Sequence, residues 1–157
     1  MNMLNSFPED FFTFVTNYFD ISPKKSIALA DEPIDTVRAA QDILRLRRKR
    51  EQRLGADLFA DPVWDILLDL YVAHYRRNHV SVSSACLASM VPATTALRWL
   101  ANLERKKMIV REPDRTDGRR YILSLSPDCL VALNALLLEW SRSRTTPNGK
   151  ASIASRT

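Results

Sequence analysis

The sequence predicts a mainly α-helical protein carrying one small β-hairpin, and three observations predict it. Apolar residues recur at helical spacing in successive segments between Asp35 and Trp140. Two short runs, Met108 to Arg111 and Tyr121 to Leu125, alternate or run apolar as strands do and enclose the turn pair Asp117-Gly118. Eight prolines against only three glycines indicate helices punctuated by proline, with few glycine turns. A length of 157 residues with 46% apolar content suits one domain with tails and a core that needs no metal or disulfide.

The formal charge of +5 favours an anionic partner, although 26% charged residues of both signs is ordinary. No stretch has the roughly 18 to 20 apolar residues of a membrane span, and the start lacks the order of a signal peptide, so a cytoplasmic protein is expected. Cys86 and Cys129 are too few for a disulfide framework. Both read as small buried side chains, with a thiolate at Cys129 near a helix N-terminus as the reactive alternative. His74 and His79 stand at no recognised zinc spacing, so neither metal nor cofactor is expected.

Residues 1–34 hold an aromatic cluster, Phe7, Phe11, Phe12, Phe14, Tyr18 and Phe19, before a break at Ser22-Pro23. A short amphipathic helix cannot bury such a face alone, so this segment is expected to pack on the body or on a second subunit. Glu9 and Asp10 on its polar side disfavour a membrane surface. In region 35–60 a helix from about Asp35 to Leu54 ends before Gly55. Its second half crowds Arg45, Arg47, Arg48, Lys49, Arg50 and Arg53 together. A solvated face with cations near the helix C-terminal end is the simpler reading, and a contact of Arg47, Arg48 and Arg50 with a nucleic-acid backbone is the functional one.

Asp61-Pro62 opens a third helix, in which Val63, Trp64, Leu67, Leu68, Tyr71 and Val72 mark a core face. Val80-Ser81-Val82 reads as a short strand and Ser83 as the cap of a short helix through Met90. Val91-Pro92 then breaks the chain before a helix from Ala93 to about Lys107. The result is helix, tight turn, helix. In the second helix Ala96, Trp99, Leu100 and Leu103 share one side, and Ala93, Thr94, Leu97, Arg98 and Ala101 another.

That second face has the chemistry of a major-groove reader. Thr94 and Thr95 can donate to phosphate or base, Arg98 can pair with guanine, and Leu97 can touch a thymine methyl. An ordinary exposed helix has the same look, so the following hairpin decides. Its tip, Pro113 to Arg120, sets Arg115, Arg119 and Arg120 on a projecting loop able to reach a backbone or minor groove. Asp117 is expected to orient a neighbouring arginine.

The stretch Leu100 to Ser126, LANLERKKMIVREPDRTDGRRYILSLS, resembles the recognition-helix end and wing of MarR-type winged-helix regulators of bacterial transcription. The spacing L-x-x-L-E-x-x-x-x-I-V-R and the wing D-R-x-D-G-R-R carry the resemblance, which spans roughly Asp61 to Trp140. It implies a winged helix-turn-helix domain at 61–126, flanked by N- and C-terminal helices, and duplex binding by a two-fold dimer. It also implies Thr94, Thr95 and Arg98 in the major groove and Arg115, Arg119 and Arg120 at the wing contact. Two positions depart from the pattern: Met90 stands where such regulators often have glycine, and Trp99 replaces a smaller aliphatic residue.

A last helix, 127–142, begins after Ser126-Pro127 and carries the stripe Cys129, Leu130, Leu133, Leu136, Leu137 and Trp140. Homodimerisation would cover it, and the N-terminal aromatics covering it within one chain is the alternative. Residues 143–157 have no apolar period and read as a disordered tail. No phosphate-binding glycine loop or nucleophile arrangement supports an enzyme. A nonspecific architectural DNA binder and a winged-helix protein-interaction module are the remaining alternatives. The family resemblance also implies a small aromatic effector, for which the surroundings of Trp64, Tyr71 and Trp140 are the candidate place, with core packing the simpler role for all three.

Overall fold

The computed structural model describes residues 33–55 and 58–145. The elements follow in the order α1 (Pro33–Leu54), α2 (Pro62–Tyr75), β1 (Val80–Ser81), α3 (Val82–Ala88), α4 (Ala93–Arg105), β2 (Ile109–Pro113), β3 (Tyr121–Leu125) and α5 (Pro127–Thr145). The aromatic cluster from Phe7 to Phe19 and the tail beyond Thr145 lie outside the described residues. The final helix runs three residues past the expected end at 142. Ser141 and Ser143 hydroxyls donate back to the carbonyls of Leu138 and Trp140, and Arg142 and Arg144 place cations at the negative end of the helix.

Helix α2 is the centre of the core because its sequence is apolar on nearly every side. Ile66, Leu67, Leu68, Leu70, Tyr71, Val72 and Ala73 are all buried. Asp61 caps it, its side chain accepting from the Trp64 amide, and Pro62 occupies the first turn where no amide donor is needed. Helix α1 packs along both α2 and α5, and small Ala39 and Ala40 at the contact are buried. Much of the α5 stripe is therefore covered within the protomer, with Cys129, Leu133 and Leu137 buried and Leu130, Leu136 and Trp140 partly so. The Tyr71 hydroxyl joins the three helices, 2.8 Å from Thr36 Oγ1 and 2.7 Å from Asn134 Oδ1. The amide oxygen can only accept, so the phenol proton goes to Asn134 and the Thr36 hydroxyl donates to the phenol.

The three strands form one antiparallel sheet in the order β1-β3-β2. Val80 pairs with Leu123, and Ile109 to Pro113 run against Leu125 to Tyr121. The sequence hairpin thus acquires a third strand. Strand β1 stops at Ser81, and Val82 belongs to α3. Ser81, not Ser83, caps that helix by accepting from the Ser84 amide, because an extended residue leaving a strand already has the backbone a cap requires.

Four helices end on a residue of positive φ: α1 on Gly55 (φ 98°), as expected, and the next three on residues that are not glycine, Arg77 (φ 56°), Met90 (φ 55°) and Lys107 (φ 56°). After α2 and α4 the amides of Asn78 and Met108 reach back to Ala73 and Leu103, the six-to-one bond of a tight helix stop. Met90 makes the sharp turn between α3 and α4.

Candidate nucleic-acid interface

The reading face expected of α4 is exposed as the helical period requires. Ala96, Leu100 and Leu103 are buried, whereas Ala93, Thr94, Thr95, Leu97, Arg98 and Ala101 face outward. Leu97 is 45% exposed, a sizeable apolar side chain left in water. Pro92 precedes the helix, and no side chain caps the first turn. Amide donors at Ala93 and Thr94 therefore lie at the positive end of a free helix terminus, a setting that favours an anion. Trp99 is half-buried against the core, so its bulk is turned away from the exposed face.

The wing is a loop from Asp114 to Arg120 held by two carboxylates. Asp114 Oδ1 accepts from the Thr116 amide (2.8 Å) and hydroxyl (2.7 Å), and these bonds hold its carboxyl below the usual carboxylate range. Its other oxygen lies 4.0 Å from Arg120 Nε. Asp117 accepts from the Arg119 backbone amide, and its carbonyl from the Arg120 amide. The carboxylate that orients a wing arginine is thus Asp114 on Arg120, and Asp117 shapes the turn. Gly118 does not take a left-handed conformation, and a Cβ placed on it would meet nothing within 4 Å. The expected glycine-dependent tight hairpin is replaced by a wider loop built on aspartate acceptors. At the wing's base Arg111 lies 3.9 Å from Glu104 of α4 and over the Tyr121 ring, tying hairpin to helix.

Among the described residues, no ion pair or side-chain hydrogen bond engages the guanidinium groups of Arg98, Arg115 or Arg119. The basic run on α1 behaves differently. Arg47 is buried, its Nε 2.7 Å and Nη2 3.1 Å from the two oxygens of Asp65, with Asp61 3.6 Å away. Arg50 donates to the Phe59 carbonyl and lies over the Phe59 ring. Arg48 donates to the Ala88 carbonyl. All three of the α1 arginines expected at a nucleic-acid backbone thus donate to acceptors of the protein itself; Arg47 is buried, whereas the Arg48 and Arg50 side chains stay about a third exposed. The sequence shows such a run as cationic either way, because the acceptors come from other elements.

An apolar cavity of about 250 Å³ lies between α2, α4 and α5, with Trp64, Trp99, Leu67, Met108 and Leu136 in its wall and Asn102 and Lys106 at its polar margin. Trp64 and Trp140 also border a groove between α1 and α5. Tyr71 takes the core-packing role, fully buried with its hydroxyl paired, and Trp99, expected only to pack, is an aromatic wall of the cavity. No described helix is long and apolar enough to cross a membrane.

A helix-turn-helix with an outward second helix, followed by a cationic hairpin paired to a short first strand, defines a winged helix-turn-helix domain. No family model and no curated protein matches the chain. Among solved structures it is similar to MepR, a transcription regulator of the Staphylococcus aureus multidrug efflux pump MepA. That match has 19% identity over 70% of this chain and 81% of that chain, with a TM-score of 0.46. It is likewise similar to the S. aureus MepR–DNA complex, at 23% identity over 68% and 84% of the two chains with a TM-score of 0.48. For MepR bound to ethidium bromide the values are 21%, 66% and 75%, with a TM-score of 0.45.

Proposed function

We propose that the chain is a sequence-specific double-stranded DNA-binding regulator of transcription, cytoplasmic and nucleoid-associated when bound, and a binding protein without catalytic activity. Helix α4 enters the major groove with Thr94, Thr95, Leu97 and Arg98, while Arg115, Arg119 and Arg120 of the wing engage the flanking backbone or minor groove. The observation that carries this reading is a division among the arginines. Those of α1 that point inward are held by protein acceptors, whereas Arg98, Arg115 and Arg119 are exposed and uncommitted on the helix face and wing.

A homodimer completes the reading. Leu46, Leu54 and Leu58 are 67%, 61% and 73% exposed on and just after α1, and Leu46 lines the groove that Trp140 and Leu136 border. A surface of this kind supports pairing of two copies and hence two reading helices about one DNA turn apart. The cavity between α2, α4 and α5 suits a small planar aromatic effector, since tryptophan rings line it and Asn102 and Lys106 supply polar anchors at its edge.

Paired titrations test the assignment of roles. Arg98→Ala costs about 1 to 3 kcal/mol on the best duplex and relaxes base preference at one position. Arg119→Ala weakens all sequences alike and lowers the salt slope by about one unit. Identical behaviour of the two variants contradicts the division into reader and anchor.

A further inference from the structure

The Arg48 side chain crosses from α1 to the helix-turn-helix. Its Nη2 donates to the carbonyl oxygen of Ala88, the last residue of α3, at 2.7 Å. Its Nη1 lies 3.7 Å from Glu51 Oε2 and 3.9 Å from Asp65 Oδ2, so carboxylates of α1 and α2 hold the guanidinium from behind. On Asp69, another α2 carboxyl, burial pushes the pKa up and the charge of Arg48 pulls it down. The accepting carbonyl stands at the negative end of α3, where a cation is favoured. Two residues on comes Met90, whose left-handed backbone makes the turn into α4.

We propose that Arg48 is a positioning residue: it fixes the start of the reading helix α4 relative to α1, and so sets the spacing of the two reading helices in the dimer. This rests on the DNA-binding reading above. A charge-assisted bond to the end of α3 is directional and stronger than a neutral one. It joins the helix that carries the exposed leucines to the turn that aims the reading face. The neighbouring Arg47 ties α1 to α2 alone, so it can hold the scaffold without aiming α4. Glu51 supports the arrangement. Its carboxylate is buried with no hydrogen bond among the described residues, and its nearest cations are Arg48 and Arg50.

The test compares the full-length chain with Arg48→Met, which keeps an apolar stem and removes the donor, and with Arg119→Ala. Amide exchange is read on the free protein. Duplex binding is read at two salt concentrations, on the best selected duplex and on versions with the half-site spacing changed by one base pair. In Arg48→Met the Ser89 and Met90 amides, which close the end of α3, exchange roughly tenfold faster while those of α2 keep their protection. Affinity for the best duplex falls roughly tenfold, the preference for one spacing flattens, and the salt slope stays at the wild-type value.

A salt slope lowered by about one unit, as for Arg119→Ala, overturns the proposal by making Arg48 a phosphate contact. Faster exchange throughout α2 overturns it in favour of general destabilisation. Unchanged exchange at Ser89 and Met90 overturns it whatever the affinity. A wild-type chain that binds no duplex refutes the DNA-binding reading itself and the positioning role with it, and the exchange data then still show whether the bond to Ala88 holds the turn.

Discussion

Arg47 and Asp65 face each other through two bonds of 2.7 and 3.1 Å where α1 crosses α2, and the Asp65 side chain is only 1% exposed. Asp61 adds its carbonyl and carboxylate to the same guanidinium. A pair so placed is valuable mainly against its own disruption, since an unpartnered buried charge is far more costly than either the intact pair or an apolar replacement.

Asp65→Ala is therefore expected to destabilise the fold by about 3 kcal/mol, by taking from the buried Arg47 its closest carboxylate and leaving it the more distant, half-exposed Asp61. The double variant Arg47→Met with Asp65→Leu recovers most of that loss. Denaturant unfolding of the single and double variants checks it. A double variant as unstable as the single one contradicts the account.

Met90 occupies a left-handed backbone position while the residue is 53% exposed, so it contributes little packing to offset the strain. Met90→Gly is expected to raise stability by about 1 kcal/mol, visible as a higher denaturant midpoint at unchanged slope. A lower midpoint would show that the methionine side chain makes contacts that outweigh its backbone.

How much of this was readable from sequence depends on where each partner lies. The two faces of α4 were legible because the helical period alone separates Ala96, Leu100 and Leu103 from Thr94, Leu97 and Arg98. The cationic wing was legible because its arginines, Arg115, Arg119 and Arg120, lie close together in one short segment between two strands. Arg47 was not: its acceptor sits 18 residues away on another helix, and local sequence shows the same charge run whether it is solvated or buried. The cap of α3 was missed among nearby serines because Ser81 becomes the cap only once Val80 pairs with Leu123. Gly118 looked like a turn requirement, yet hydrogen bonds to Asp114 and Asp117 define the loop in its place. The cover on α5 went unseen because it depends on how closely the alanines of α1 approach.

Alkaline pH offers a check on the core. Burial raises the Cys129 thiol to about 12, with the Asp128 charge adding to the effect, and burial likewise pushes the Tyr71 phenol up. Both groups are protonated in the fold, and the unfolded chain releases their protons at lower pH, so the unfolded state binds fewer protons in that window. Their contribution is complete below pH 9 or so and falls above it, by up to about 1.4 kcal/mol per pH unit for each group. Cys129→Ala should flatten the first part of that decline. The same burial makes Cys129 unreactive toward thiol reagents in the native state, against the thiolate alternative that its place near a helix N-terminus had raised. Native labelling of Cys129 as fast as a free thiol would contradict its placement.

The cavity predicts a fluorescence response. A two-ring phenol such as 2-naphthol should quench Trp64 and Trp99 saturably, and Ala132→Leu, which fills the wall from α5, should abolish the response without lowering stability. Quenching that persists in Ala132→Leu places the probe elsewhere.

Selection of duplexes from a randomised DNA pool, followed by titration of the best and a scrambled sequence, tests the central claim most directly. The account predicts an inverted repeat, bound at least roughly a thousandfold more tightly than the scrambled duplex. Salt-sensitive binding with no recovered motif would contradict it and leave an architectural DNA binder, and no binding even at low salt would leave a protein-interaction module.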